Sequence, residues 1–314
     1  MMTTSSRQLR AVRQPKTPLS FRWQVRASEA AHALADFLMD KLKLPLDQVM
    51  DLIDFGSVQI DGRQYKNPQG ALAADQQITV HLPWLGVHRS YEISSQRILY
   101  QDPYLLAYDK EAGIPSQQTP ADGYNNLFAA AVRFLAATSS KPYVAMHHRL
   151  DRETSGVMIF ALDRAVNARL GSAFEQRKVS KDYLAWVRGS PPNDCWVVSE
   201  DIGRSAGRYV CCPRGTGKSA ETTFHVCRRE SDHTLVWAQP RTGRTHQIRL
   251  HLQRCGYPII GDRLYGGPPA ARLLLHAFRL SLIHPLTQSP LLLVAPVPPD
   301  WPDVCLPYDL RANG

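Results

Sequence analysis

Hydrophobic positions along this chain change their period several times, and each change marks an expected element. Over residues 31–44 the apolar side chains Leu34, Phe37, Leu38 and Leu42 recur at helical spacing. Pro45 interrupts that pattern, and a second helix is expected over 46–53. The period then falls to two. Ser57-Val58-Gln59-Ile60 leads into Asp61-Gly62, a pair suited to a two-residue hairpin, and residues 77–82 alternate as another strand. Phe21, Trp23 and Val25 alternate in the same way further upstream. After a linker at 83–97 containing Pro83 and Gly86, Ile98-Leu99-Tyr100 and Leu105-Leu106-Ala107-Tyr108 read as strands around an Asp102-Pro103 turn. Helical spacing returns at 126–137 (Leu127, Phe128, Ala131, Leu135) and at 164–176 (Val166, Leu170, Phe174). Residues 157–162, 181–189, 222–227 and 234–238 are expected to be strands. A last helix places Ile248 and Leu252 on one face, which leaves His246 and Arg249 offset toward a cleft. Gly256 and Pro258 mark its end.

Composition narrows the class. A chain of 314 residues with 44% hydrophobic content can bury a large domain and a smaller one. Its formal charge of +9 suits a polyanionic partner, of which nucleic acid is the commonest. Residues 1–28 carry Arg7, Arg10, Arg13, Lys16, Arg22 and Arg26 with no acid, and Pro15 and Pro18 would break a presequence helix; they read as a basic arm. Six cysteines show no Cys-x-x-Cys pair, which points to reduced thiols in a cytoplasmic setting rather than to zinc or disulfides. His246 and His251 lack the i, i+4 spacing of a zinc helix, so no metal is expected. Gly217-Lys218-Ser219 is not a phosphate loop, because Cys212 stands where the first glycine belongs.

The densest chemistry lies at His148-Arg149-Leu150-Asp151-Arg152-Glu153-Thr154-Ser155-Gly156. Asp151 stands between two arginines, which would favour its ionised form if they stay close. Taken alone, such a group is often only a salt-bridged turn. The whole string, however, resembles the signature His-Arg-Leu-Asp-Arg-x-Thr-Ser-Gly of the RluA-like pseudouridine synthases. Lys181-Asp182-Tyr183-Leu184-Ala185-Trp186-Val187-Arg188-Gly189 and Thr242-Gly243-Arg244-Thr245-His246-Gln247-Ile248-Arg249-Leu250-His251 are similar to two further motifs of that family. Lys110 to Pro115, Lys218-Ser219-Ala220-x-Thr222, Gly261-Asp262-x-Leu264-Tyr265-Gly266, Leu275-His276-Ala277 and His284-Pro285 extend the likeness. Residues 31–82 resemble the small RNA-binding domain first known from a ribosomal small-subunit protein. Their second helix departs from it, carrying Asp47, Asp51 and Asp54 and no base.

The resemblance implies an α+β fold: a catalytic domain on a long mixed, largely antiparallel sheet flanked by helices, plus a small α+β RNA-binding-type domain. The expected division is a basic arm at 1–28, the small domain at 29–85 and the catalytic domain at 97–314. It further implies conversion of uridine in structured RNA to pseudouridine, in rRNA rather than tRNA, without cofactor. Asp151 is then the catalytic carboxylate, Tyr183 the platform under the base and Arg249 the cation paired with the carboxylate. His148, Arg149, Leu150, Arg152, Thr154, Arg244, His246 and Leu275 are the expected substrate-binding residues, with Arg149 able to fill the gap left by a flipped uridine. A catalytically silent RNA-binding or ribosome-assembly factor on the same fold is the alternative, and the presence of Asp151, Tyr183 and Arg249 argues against it.

Overall fold

The alternation of Phe21 and Trp23 with Arg22 and Gln24 forms a strand, β1 (Ser20–Gln24), in the computed structural model, which describes residues 20–84, 86–302 and 304. Most of the expected basic arm, residues 1–19, lies outside the described residues. The chain divides into two compact units. One runs to Tyr91 and also takes in Gln118–Asn125; the other comprises Glu92–Gln117 and the chain from Asn126 on.

In the first unit β1 is followed by α1 (Leu34–Leu42), α2 (Leu46–Asp54), β2 (Val58–Ile60), β3 (Arg63–Gln64) and β4 (Gln77–His81). The strands form an antiparallel sheet in the order β1-β4-β2-β3. Asp61 and Gly62 both take positive φ, 51° and 77°, as the tight turn between β2 and β3 requires. Helix α1 begins at Leu34 rather than at 31, because Ala31 has φ 69° and Ala33 is held extended by a bridge to Ala71. Leu34, Phe37 and Leu38 of α1 pack with Val49, Leu52 and Ile53 of α2 and with Val58, Ile78 and Val80. The acids of α2 have a partner: Arg89 donates to Asp51 at 3.0 Å and to Asp54 at 2.6 Å. Residues 118–125 join this unit through polar contacts, since Ser57 Oγ donates to Ala121 O at 2.5 Å and Gly123 N to Phe55 O at 2.8 Å.

The second unit contains β5 (Ile98–Gln101), β6 (Leu105–Lys110), α3 (Leu127–Ala136), β7 (Ala145–Met146), β8 (Ser155–Ala161), α4 (Arg164–Glu175) and β9 (Ser180–Arg188). It continues with β10 (Cys195–Ser199), β11 (Asp201–Ser205), β12 (Arg208–Cys212), β13 (Glu221–Arg229), β14 (His233–Pro240), α5 (Gln247–Arg254), β15 (Leu275–Ile283) and β16 (Pro290–Val294). Helices α3 and α4 start where Asn126 and Asp163 accept hydrogen bonds from the backbone of Ala129 and Ala165. The large sheet runs β10-β13-β14-β9-β15-β8-β6-β5, with β16 beside β15 and β7 beside β8. Among the described residues only β15 and β8 pair in parallel, so the sheet is mixed and largely antiparallel, as the α+β expectation required.

Two features of this unit position the site. At the parallel crossing Gly156 lies opposite Ala277 with φ 114°, and a Cβ there would sit 2.1 Å from the Ala277 carbonyl oxygen. Only glycine allows the two strands so close. Helix α5 is covered on both sides. Ile248 and Leu252 pack against Ala185, Val187, Phe224 and Val236 of the sheet, while Leu250 packs with Ile202 and Ala220 under the β11–β12 hairpin. Among the described residues, no helix is long and apolar enough to cross a membrane.

Candidate active site

Asp151 sits in the loop between β7 and β8, in a turn closed by a hydrogen bond from Thr154 N to its own carbonyl at 3.0 Å. That loop is fixed from below. Ser116 Oγ donates to Leu150 O at 2.7 Å, and Lys110, wholly buried, donates from Nζ to the carbonyls of Glu111 and Ile114 at 2.8 Å and of Arg152 at 3.1 Å. Burial in this nest of carbonyls brings the Lys110 pKa down to about 7.

The arginines flanking Asp151 in sequence reach other partners. Arg152 bonds Glu153 at 2.8 Å, and Arg149 reaches Thr245 Oγ1 at 2.9 Å. The cation beside the carboxylate comes instead from α5: Arg249 Nη1 lies 3.3 Å from Asp151 Oδ2. Arg249 is itself gripped from behind, with Nε and Nη2 each donating at 2.8 Å to the two oxygens of Asp262. Asp262 also accepts from the backbone N–H groups of Leu264 and Tyr265 at 3.0 and 3.1 Å. Burial would lower the Arg249 pKa, but the bidentate bond to Asp262 and the charge of Asp151 raise it, so the guanidinium stays charged. Breaking such a buried pair typically costs about 3–5 kcal/mol, because one charge is left uncompensated.

His246 caps α5 in the left-handed region, at φ 58° and ψ 21°. Backbone strain of this kind gathers at functional sites. Its Nδ1 lies 2.7 Å from the Tyr265 hydroxyl and its Nε2 3.9 Å from Asp151 Oδ1. Burial holds the imidazole pKa below 6.5 despite the nearby carboxylate, so at neutral pH the ring is uncharged and the contact is not an ion pair. Gln247 fastens the start of the helix: Nε2 donates to Glu221 O at 2.8 Å, and Oε1 accepts from Thr242 Oγ1 at 2.6 Å and from Arg244 N at 3.0 Å.

These groups open onto a cleft of about 550 Å³, including space open to solvent. Asp151 and Arg249 line it together with Tyr183, which β9 carries on the same face as Lys181. Arg149, Leu150, Thr154, Arg244, His246 and Leu275 also border the cleft. Thr154 Oγ1 is buried there with no hydrogen-bond partner. Burial raises the Tyr183 phenol pKa, and Asp151 adds to the effect, so the ring presents a neutral, largely apolar face.

His148 and Arg152 are not among the residues bordering this cleft. The His148 ring stacks on Phe174 at 4.9 Å between centroids and accepts at Nε2 from Ile159 N at 3.1 Å. Burial pushes its pKa down to about 3. Sequence reasoning gave no role to Asp262, Gln247, Tyr265 or Lys110. All four stood inside quoted motifs, so position was available, but nothing in the sequence says that Asp262 holds the cation which meets Asp151.

A family model described as RNA pseudouridylate synthase matches residues 104–254. The ribosomal large subunit pseudouridine synthase C of Pasteurella multocida is 32% identical over 87% of this chain and 89% of its own length. That of Vibrio vulnificus is 30% identical over 85% of the chain and 90% of its length. An uncharacterized RNA pseudouridine synthase of Bacillus subtilis is 36% identical over 65% of this chain and 73% of its own. Among solved structures, human RNA pseudouridylate synthase domain containing 4 superposes with a TM-score of 0.55 at 28% identity, covering 65% of this chain and 90% of that one.

Proposed function

Because the chain belongs to the RluA-like RNA pseudouridine synthases and is thus an enzyme that isomerises uridine in RNA, we propose that Asp151 supplies the carboxylate that starts the reaction, without any cofactor. The conversion breaks the N-glycosidic bond, turns the uracil and rejoins it through C5, with no redox change and no net hydrolysis. It calls for a carboxylate at the sugar, a surface that keeps the free base in place and exclusion of water. Arg249, locked by Asp262, pairs with Asp151 at the border of the cleft and holds it there. Tyr183 is the platform for the base, and Leu275 and Leu150 supply apolar walls. Arg149, Arg244 and His246, with Thr154, hold the flanking ribose and phosphates. His148 and Arg152 support the loop from outside.

The target we infer is a structured stem-loop of large-subunit ribosomal RNA in the cytoplasm, in line with the relatives that share most of their length with this chain. The unit ending at Tyr91 serves as an accessory RNA-binding module, and the unit beginning at Glu92 carries the chemistry. What supports the catalytic assignment most directly is the meeting of Asp151, Arg249 and Tyr183 in one cleft from three segments far apart in sequence.

Asp151→Asn tests it. Asn keeps the size of the side chain and suits the turn, but it lacks the charge and basicity. Single-turnover assays with excess enzyme should show no measurable pseudouridine, with RNA affinity and melting temperature close to wild type. Appreciable turnover in the variant would remove Asp151 from the role.

A further inference from the structure

Lys181 stands two residues before Tyr183 on β9, so both side chains leave the strand on the same face. It lines the cleft beside Tyr183 and also a smaller space that Tyr183 borders as well, which it shares with His148, Val157 and Ala277. Its ammonium has three donors. Among the described residues they make one long bond, 3.4 Å to Thr242 O, and no carboxylate pairs with the group. The acid nearest to it in sequence, Asp182, points from the opposite face and is fully engaged, accepting from Arg279 at 2.7 Å and from Trp237 and Gln239 at 2.9 Å. A partly buried cation with unused donors in the wall of a substrate cleft calls for an acceptor that arrives with the substrate.

We propose that Lys181 stabilises the uracil anion released on glycosidic cleavage, donating hydrogen bonds to its carbonyl oxygens while the base rests on Tyr183. When the C1′–N1 bond breaks, the bonding pair stays with uracil and its charge spreads from N1 onto O2 and O4. Lys181 keeps its proton throughout. A fixed donor aimed at charge that appears only as the bond breaks lowers the barrier more than it tightens binding. This inference rests on Tyr183 as the base platform and would not explain a base held elsewhere.

The charged and titratable neighbours are consistent with such a task. Lys181 faces Arg177 of the turn between α4 and β9, the neutral His148 from the signature loop, Tyr183, and Arg279 of β15, whose charge Asp182 already meets. Burial first, then Arg177, lowers the lysine pKa below its ordinary 10.5. A rate that depends on the protonated form should therefore fall on the alkaline side sooner than an exposed lysine would allow.

The test compares Lys181→Met and Lys181→Arg with wild type on large-subunit ribosomal RNA purified from cells lacking this gene. Support consists of a single-turnover rate about 10²-fold lower in Lys181→Met, with the RNA Kd within about threefold of wild type. Lys181→Arg should keep more of the rate and lose the alkaline decline, because a guanidinium does not titrate in that range. A wild-type rate in Lys181→Met overturns the proposal. So does an affinity loss with a salt slope reduced by about one, which would make Lys181 a phosphate clamp. Tyr183→Leu, assayed in parallel, judges the platform separately: an unchanged rate there rejects Tyr183, whereas Lys181 is judged on its own variants.

Discussion

His148 adjoins Arg149 in the signature, yet the two side chains have different tasks. Arg149 borders the cleft, whereas the His148 imidazole is stacked on Phe174 and receives the Ile159 N–H of β8. With a pKa held near 3 it stays neutral at any working pH and serves as an acceptor. His148→Ala should therefore cost stability rather than chemistry. Leaving a buried N–H without its acceptor is worth about 1–3 kcal/mol, to be read from urea denaturation, while the single-turnover rate should stay within about threefold of wild type. A hundredfold slower rate at unchanged stability would instead return His148 to the substrate.

Lys110 makes the opposite point about a residue with no obvious chemistry in the sequence. Its folded-state pKa of about 7 lies below its ordinary 10.5, so between those values the unfolded chain holds a proton that the folded chain has released. Unfolding then takes up protons, and the Lys110 contribution to stability rises with pH across that window, being least favourable below pH 7. Lys110→Met should flatten this rise in a series of melts from pH 6 to about pH 10. It should also lower stability at every pH, since the carbonyls of Glu111, Ile114 and Arg152 lose their donor. An identical pH slope in wild type and variant would show that Lys110 titrates normally.

At the level of elements, legibility followed how burial is distributed around each one. Helix α4 buries one face and exposes the other, and α3 buries Leu127, Ala130 and Ala131 on one face and half-buries most of the rest, so their apolar spacing was plain; β8 is buried along its whole length and reads as a continuous apolar run. Helix α5 is covered by the sheet on one side and by the β11–β12 hairpin on the other, which hides how Arg249 reaches the cleft. Strands β10 to β12 escaped notice because they bury few side chains: of β10 only Val198 is buried. Segment 118–125 could not have been assigned either, since it is tied to the first unit by scattered contacts, Ser57 Oγ to Ala121 O, Gly123 N to Phe55 O and the Asn125 side chain to the backbone of His88, Ser90 and Tyr91, which follow no period along the chain. Around Asp151 the two ways of reading the sequence diverged: proximity suggested Arg149 and Arg152 as its neighbours, whereas the family resemblance named Arg249, and it is Arg249, 98 residues away, that lies 3.3 Å from the carboxylate. Its anchor, Asp262, had no signal of its own. The crossing of β8 and β15 gives this scale its test. Gly156→Ala would drive a Cβ into the Ala277 backbone and should destabilise the protein by about 3 kcal/mol, the upper end of overpacking costs. Equilibrium denaturation measures it, and a change below about 0.5 kcal/mol, typical of an open surface position, would show that the strands can move apart.

For the whole molecule the controlling quantity is charge. A formal +9 is spread over a chain whose acids are often already paired: Asp51 and Asp54 with Arg89, Asp262 with Arg249, Asp182 with Arg279. The acidic α2 therefore presents less negative charge to a polyanion than its sequence suggests. Among the described residues, Arg149 and Arg244 on the border of the cleft bond neutral oxygens, Thr245 Oγ1 and Ser219 O, and both are exposed. Cations held by neutral acceptors stay available to phosphates, and each phosphate neutralised releases counterions, so log K should fall linearly with log salt. Replacing both arginines by alanine should weaken binding at low salt and reduce the slope by about two, one for each lost contact. The test is a salt titration of affinity for large-subunit ribosomal RNA from 50 to about 300 mM, in wild type and in the double variant. An unchanged slope would mean that Arg149 and Arg244 meet the base or the empty stack rather than the backbone, and an affinity flat in salt for the wild type would mean that the positive charge is not what draws RNA to this protein.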